Sequence, residues 1–230
     1  MQKQLLAYGS GRHRLPFIKY IAKITGKERP NLCFIPTASA DNKDYIISFY
    51  ETCKTLNVVP HVLKVWVNSY EDKEPFKAVI DRMDAVIVGG GNTLNMLAIW
   101  KAQGIDTLLK QAYENGCVMA GGSAGSLCWF NGGTTDSRPA VLSIVGGLGF
   151  IPKSHCPHYN SETSRRPLYH TNILEGRLSD GYACDDASGI HFINGKVHQS
   201  VAIDAKNKSF YVYRRENQVL EEVLPSLILT

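Results

Sequence analysis

The chain has 230 residues, a formal net charge of +4 and 44% hydrophobic residues, enough for one large domain with a substantial core. Lys and Arg are scattered and form no basic block, which argues against binding to nucleic acid or to a membrane surface. No apolar run approaches the roughly 20 residues that span a bilayer, and the N-terminus has no signal-like apolar region, so the expected location is cytoplasmic.

The first half alternates strand and helix patterns. Leu5-Leu6-Ala7-Tyr8 is a short apolar run ending at Gly9-Ser10-Gly11, and Leu15 to Ile24 carries apolar residues at helical spacing. Leu32 to Ile35 predicts a second strand before Pro36-Thr37, and Asp44 to Leu56 a helix. His61 to Trp66 predicts a third strand, and Ala85 to Val88 a fourth, which ends at Gly89-Gly90-Gly91-Asn92. Leu94 to Ala112 predicts a helix broken near Gly104, and a fifth strand leads into Gly121-Gly122-Ser123-Ala124-Gly125. Short apolar strands separated by helices imply a mostly parallel sheet with helices on both faces, a three-layer α/β fold. Ligands of such sheets bind beyond the carboxyl ends of the strands, where the glycine-rich turns fall.

The second half has a different texture. Residues 131–157 are rich in Gly, Pro and Ser and predict irregular loops over the site. Asn194-Gly195 between Ile190 to Ile193 and Lys196 to His198 predicts a hairpin. A second hairpin is expected between Ala202-Ile203-Asp204 and Ser209 to Tyr213, both adding antiparallel strands to one sheet edge. No linker or repeat interrupts the chain, so residues 1–230 are read as a single domain. The six cysteines form no C-x-x-C pair and predict reduced, packed thiols, with Cys156 notable for its closeness to a histidine. No metal-ligand spacing is visible, and no metal or other cofactor is expected.

Gly121 to Gly125 matches G-x-S-x-G, the pattern of a nucleophile elbow. There a strand turns sharply into a helix and exposes one hydroxyl. A Cβ at Gly121 or Gly125 is expected to collide with a neighbouring strand or helix. Ser123 is therefore the candidate nucleophile, and Ala124 to Phe130 the helix after it. A serine hydroxyl needs a base and a carboxylate to orient that base. Of seven histidines, His191 and His198 flank the hairpin turn and read as surface or edge residues. His155 and His158 share a loop downstream of the elbow, and His170 falls in a predicted helix. His158 is the best base, because Pro157 stiffens its approach.

These pieces resemble the peptidase E family of serine peptidases, the aspartyl dipeptidases and their relatives. The resemblance rests on Pro36-Thr37-Ala38, Gly89-Gly90-Gly91-Asn92-Thr93, Gly122-Ser123-Ala124-Gly125 and Pro157-His158-Tyr159, in that order. It implies a class I glutamine amidotransferase-like fold, with Ser123 as nucleophile and His158 as general base. It also implies an oxyanion hole from the N–H groups of Ala124 and of Gly90 or Gly91, with Asn92, Thr93 and Tyr159 beside the substrate. Asp136 and Asp186 are equal candidates for the acidic partner, and Asp185 is a weaker third. Each is also readable as a helix cap or a solvated loop charge. The resemblance further implies cleavage after an N-terminal aspartate held by an arginine. Arg165 and Arg166 are the candidates, displaced by Ser164 from the family's Glu-Thr-Arg order, and a solvated helix charge is the competing reading.

The expected activity is hydrolysis of small peptides. The alternative is a noncatalytic relative that holds a peptide or amino acid. Amidotransferase chemistry would need cysteine at the elbow. Neither glycine turn gives a dinucleotide or P-loop fingerprint. A homodimer is compatible with this reading.

Overall fold

The computed structural model describes residues 1–10, 15–66 and 74–230. Gly11 and His13 lie outside the described residues. Strand β1 (Gln4–Tyr8) leads to α1 (Leu15–Ile24) and β2 (Asn31–Ile35). A 3-10 turn at Thr37–Ser39 precedes α2 (Lys43–Cys53) and β3 (Val59–Val62). Helix α3 (Phe76–Ile80), β4 (Ala85–Val88), α4 (Thr93–Gln103), α5 (Ile105–Glu114) and β5 (Val118–Gly122) follow. Gly104 adopts a left-handed conformation at the α4–α5 break, as the sequence suggested. Strand β3 begins earlier than expected and stops at Val62, so residues 63–66 lie outside it.

The alternating apolar positions explain the layers. Leu5 and Ala7 of β1 join a core with α4 and α5, while Leu6 and Tyr8 join a second core with α1 and α2. Successive side chains of a strand face opposite sides, so one apolar run serves both cores. Strands β1, β5, β4, β2 and β3 are parallel neighbours in that order.

After the elbow come α6 (Ala124–Leu127), β6 (Phe130–Arg138), β7 (Val141–Gly146), β8 (Ile151–Cys156) and α7 (Arg165–Leu174). The chain continues as β9 (Gly181–Cys184), β10 (Ser188–Ile193), β11 (Lys196–Ala202), β12 (Ser209–Arg215), β13 (Gln218–Leu224) and β14 (Ser226–Ile228). The main sheet has eight strands in the order β14-β11-β10-β1-β5-β4-β2-β3. The β10–β11 hairpin turns at Asn194-Gly195, both at positive φ, and β10 pairs antiparallel with β1. That is the predicted edge addition.

Three expectations on the second half are corrected. Residues 131–157 are largely strands of a second, six-stranded sheet ordered β13-β12-β9-β8-β6-β7. Their glycines read as loop signals but serve close strand contact: a Cβ on Gly133 would lie 1.7 Å from the His155 carbonyl oxygen. Ser209 to Tyr213 belongs to β12, which pairs with β9 and β13 and not with 202–204. The elbow helix is a single turn ending at Leu127, and Phe130 already starts a strand. Helix α7 packs on the second sheet through Tyr169 and Ile173 against Cys156, Ala183 and Val212. All six cysteines are free and buried.

Candidate active site

Strand β5 ends inside the main sheet, and α6 begins at once, so the chain reverses over Ser123. Ser123 has φ 57° and ψ −122°, a backbone that a non-glycine residue adopts only when its surroundings enforce it. The glycines on either side permit the packing. A Cβ on Gly121 would sit 2.2 Å from the Gly125 carbonyl oxygen, and one on Gly125 would sit 2.1 Å from that of Val88.

His158 comes from the loop after β8 and is itself at φ 55°. Its Nε2 lies 2.8 Å from Ser123 Oγ and its Nδ1 2.6 Å from Asp186 Oδ1. A carboxylate only accepts, so Nδ1 carries the proton and Nε2 accepts from the serine hydroxyl, a tautomer assigned from this bonding pattern. Asp186 follows β9, and its backbone N–H donates to Asn160 Oδ1 at 3.1 Å, which ties the acidic turn to the histidine loop. Asp185 faces elsewhere: its Oδ2 accepts from the Lys208 N–H at 2.8 Å, and burial pushes its carboxyl up. Asp136 pairs instead with Arg165 at 3.3 Å, its side chain 68% exposed, and the His158 ring nitrogens are bonded to Ser123 and Asp186.

The glycine turn is divided in its roles. Gly90 N–H donates to the Tyr45 hydroxyl at 3.3 Å. The Gly91 and Ala124 amides make no hydrogen bond among the described residues. Ala124 opens α6, where a first-turn N–H has no intrahelical acceptor. Asn92 caps α4 by accepting from Asn95 N–H at 2.9 Å and donates to the Ser137 carbonyl at 3.0 Å. Thr93 is buried in the first turn of that helix. Tyr159 is buried too, and its hydroxyl meets Glu221 and His170. Asn92 and Tyr159 thus brace the site with side chains already engaged.

Both arginines are paired. Arg165 is buried, with Nε 2.6 Å from Glu162 and Nη1 2.9 Å from the Thr134 carbonyl. Arg166 holds Glu221 through Nε, at 2.7 Å, and Nη2.

A second serine–histidine pair lies behind the elbow and was missed as a unit. Ser126 Oγ is 2.8 Å from the Ser123 carbonyl oxygen and 2.9 Å from His155 Nε2. His155 Nδ1 is 3.1 Å from the Tyr182 carbonyl and so donates to it. Burial pushes the His155 ring down to about 3, against the opposing pull of that carbonyl, and the ring is neutral. The available signal was spacing, Ser126 three residues after Ser123 and His155 three before His158. His191, expected at the surface, is 2% exposed and bonded to Tyr20 and Gln4. Cys156 meets Thr134 Oγ1 at 3.0 Å, and burial pushes its thiol up to about 12, which leaves it inert.

The mostly parallel main sheet, with helices on both faces and a strained serine beyond its carboxyl edge, has the class I glutamine amidotransferase-like fold. A peptidase from an acI-B1 actinobacterium shares it, with a TM-score of 0.67 at 19% identity over 97% of this chain and 98% of that one. The model of peptidase family S51 matches residues 5–200, and the chain belongs to that family. It is 41% identical over 228 residues, 97% of each chain, to the uncharacterised peptidase YgaJ of Bacillus subtilis. It is 29% identical over 175 residues to the peptidase E of Shewanella amazonensis, covering 71% of this chain and 70% of that one. Among the described residues, no helix is long and apolar enough to cross a membrane.

Proposed function

We propose that this family S51 member is a serine peptidase that hydrolyses small peptides through an acyl-enzyme on Ser123. One observation carries the reading: the continuous chain from Ser123 Oγ to His158 at 2.8 Å and on to Asp186 at 2.6 Å. His158 Nε2 takes the hydroxyl proton as Oγ attacks the scissile carbonyl. Asp186 holds Nδ1–H and stabilises the imidazolium that forms. The Gly91 and Ala124 amides, which have no acceptor among the described residues, would serve as oxyanion donors. His158 then protonates the leaving amine, and water, activated by the same ring, releases the acid product and restores Ser123.

Strand β8 backs the elbow through His155 and Ser126, and the 157–164 loop brings His158 onto Ser123, an enclosure that favours short peptides over folded proteins. Dipeptides with N-terminal aspartate are the substrates that the resemblance of the sequence motifs implies, so the test panel includes them.

The test combines fluorophosphonate labelling with hydrolysis of Asp-Leu, isoAsp-Leu, Ala-Leu, Glu-Leu and Asp-Arg. Labelling at Ser123 with cleavage of any of these, both lost in Ser123→Ala, supports the mechanism. Absence of both labelling and cleavage shifts the reading to a noncatalytic peptide-binding relative.

A further inference from the structure

The proposed reaction does not by itself say which N-terminal residue the site accepts, and the two arginines bear on that choice. Their place in the cleft follows from its tethers. The Ser137 carbonyl accepts from Asn92 Nδ2 at 3.0 Å, so the end of β6 sits beside the glycine turn. Glu162 N–H donates to the His158 carbonyl at 3.2 Å, so the start of α7 sits beside the base. Arg165 bridges these two sides.

It does so as a fully engaged group. Its side chain is 3% exposed, and each guanidinium nitrogen meets an internal acceptor: Nε on Glu162 at 2.6 Å, Nη1 on the Thr134 carbonyl at 2.9 Å and Nη2 on Asp136 at 3.3 Å. One cation therefore faces two carboxylates, whose side chains are 38% and 68% exposed. The local field left over is negative.

Arg166 is neutralised in a different way. Its Nε and Nη2 grip both oxygens of Glu221, and its guanidinium stacks 5.1 Å from the centre of the Tyr159 ring. That fork is the geometry a substrate carboxylate would use, already filled by the protein's own carboxylate. Burial pulls the Glu221 carboxyl up, but hydrogen bonds from Tyr159 and Arg166 outweigh it and hold it below its ordinary value. Glu221 stays ionised and the pair stays closed. An aspartyl side chain entering here would have to displace one of these acids and leave it unpaired, which costs more than the new contact returns.

We infer that Arg165 and Arg166 are framework groups and not substrate receptors, and that the site takes small peptides whose N-terminal side chain carries no negative charge. Turnover of such peptides rests on the serine-peptidase reading, but their binding does not.

The test is calorimetric titration of Ser123→Ala with Ala-Leu and Asp-Leu. Ala-Leu is expected to bind about tenfold tighter or more, a preference left in place when Arg166→Gln is added. Adding Glu162→Gln removes the nearest acid from Arg165, and Asp-Leu should then gain about tenfold relative to Ala-Leu. Structural damage alone would weaken both peptides and would not produce that gain. Equal or tighter binding of Asp-Leu by Ser123→Ala overturns the inference, as does binding of neither peptide or the absence of the gain. Fluorophosphonate labelling of the wild type judges Ser123 separately, so either idea can fail alone.

Discussion

At the residue scale, the site separates two carboxylates that chain position alone left equal. Asp186 touches His158 Nδ1 and Asp136 touches Arg165. Asp186→Asn replaces an acceptor-only group with one that can favour the wrong tautomer. It should lower kcat by about 10²–10⁴ with little change in KM. Asp136→Asn, which leaves the relay intact, should keep kcat within about threefold. Steady-state kinetics on whichever peptide is cleaved compares the two, and a larger loss in Asp136→Asn would reverse the assignment. The serine and the histidine were legible because each has a local signature, a glycine elbow and a proline-stiffened loop. The acid was not, because a lone aspartate in a turn looks the same whether it caps a helix or orients a ring.

At the element scale, glycine carries two meanings that only packing tells apart. Gly195 is at φ +76° with nothing near the position a Cβ would take. Gly195→Ala should therefore cost only the left-handed conformation, about 1 kcal/mol or slightly more in urea unfolding. In Gly133→Ala the added Cβ meets the His155 carbonyl at 1.7 Å, so β6 and β8 must part. Because β8 leads directly into the His158 loop, that variant should lose activity as well as stability. A Gly133→Ala protein with wild-type unfolding midpoint and rate would show that the β6–β8 contact is not needed. This same contact explains why the second sheet was read as loops. Its strands carry glycine where backbones touch, and those residues break the alternation that marks a strand. The parallel strands of the first half had no such interruption, and their expected positions needed only small shifts of boundary.

At the scale of the whole molecule, two histidines are held neutral by the fold. Burial pushes His155 from its ordinary 6.5 to about 3 and His191, beside His198, to about 4. In the unfolded chain both regain ordinary basicity, so below about pH 6.5 the unfolded state binds more protons than the folded one. Their contribution to stability is complete above that pH and is lost as pH falls towards about 4 and then about 3. Each histidine adds a slope of about 1.4 kcal/mol per pH unit across its window. Denaturant unfolding from pH 7 to pH 4 should show this decline, and His191→Gln should flatten it. An unchanged slope in that variant would mean that His191 is not held neutral.

The chain's own pattern determined the α/β alternation, the elbow and the hairpin at Asn194-Gly195, because each depends on contacts or conformations local in sequence; it marked Ser123 and His158 as candidates, but their meeting across 35 residues is tertiary. Tertiary structure decided the rest. The second sheet joins β6, β8, β9 and β12, and Asp186 reaches His158 across 28 residues. The two arginines find their acids on other elements: Arg166 meets Glu221 across 55 residues, and Arg165 meets Asp136 on β6. Such pairings depend on how whole layers stack, and no periodicity or turn chemistry along the chain encodes them.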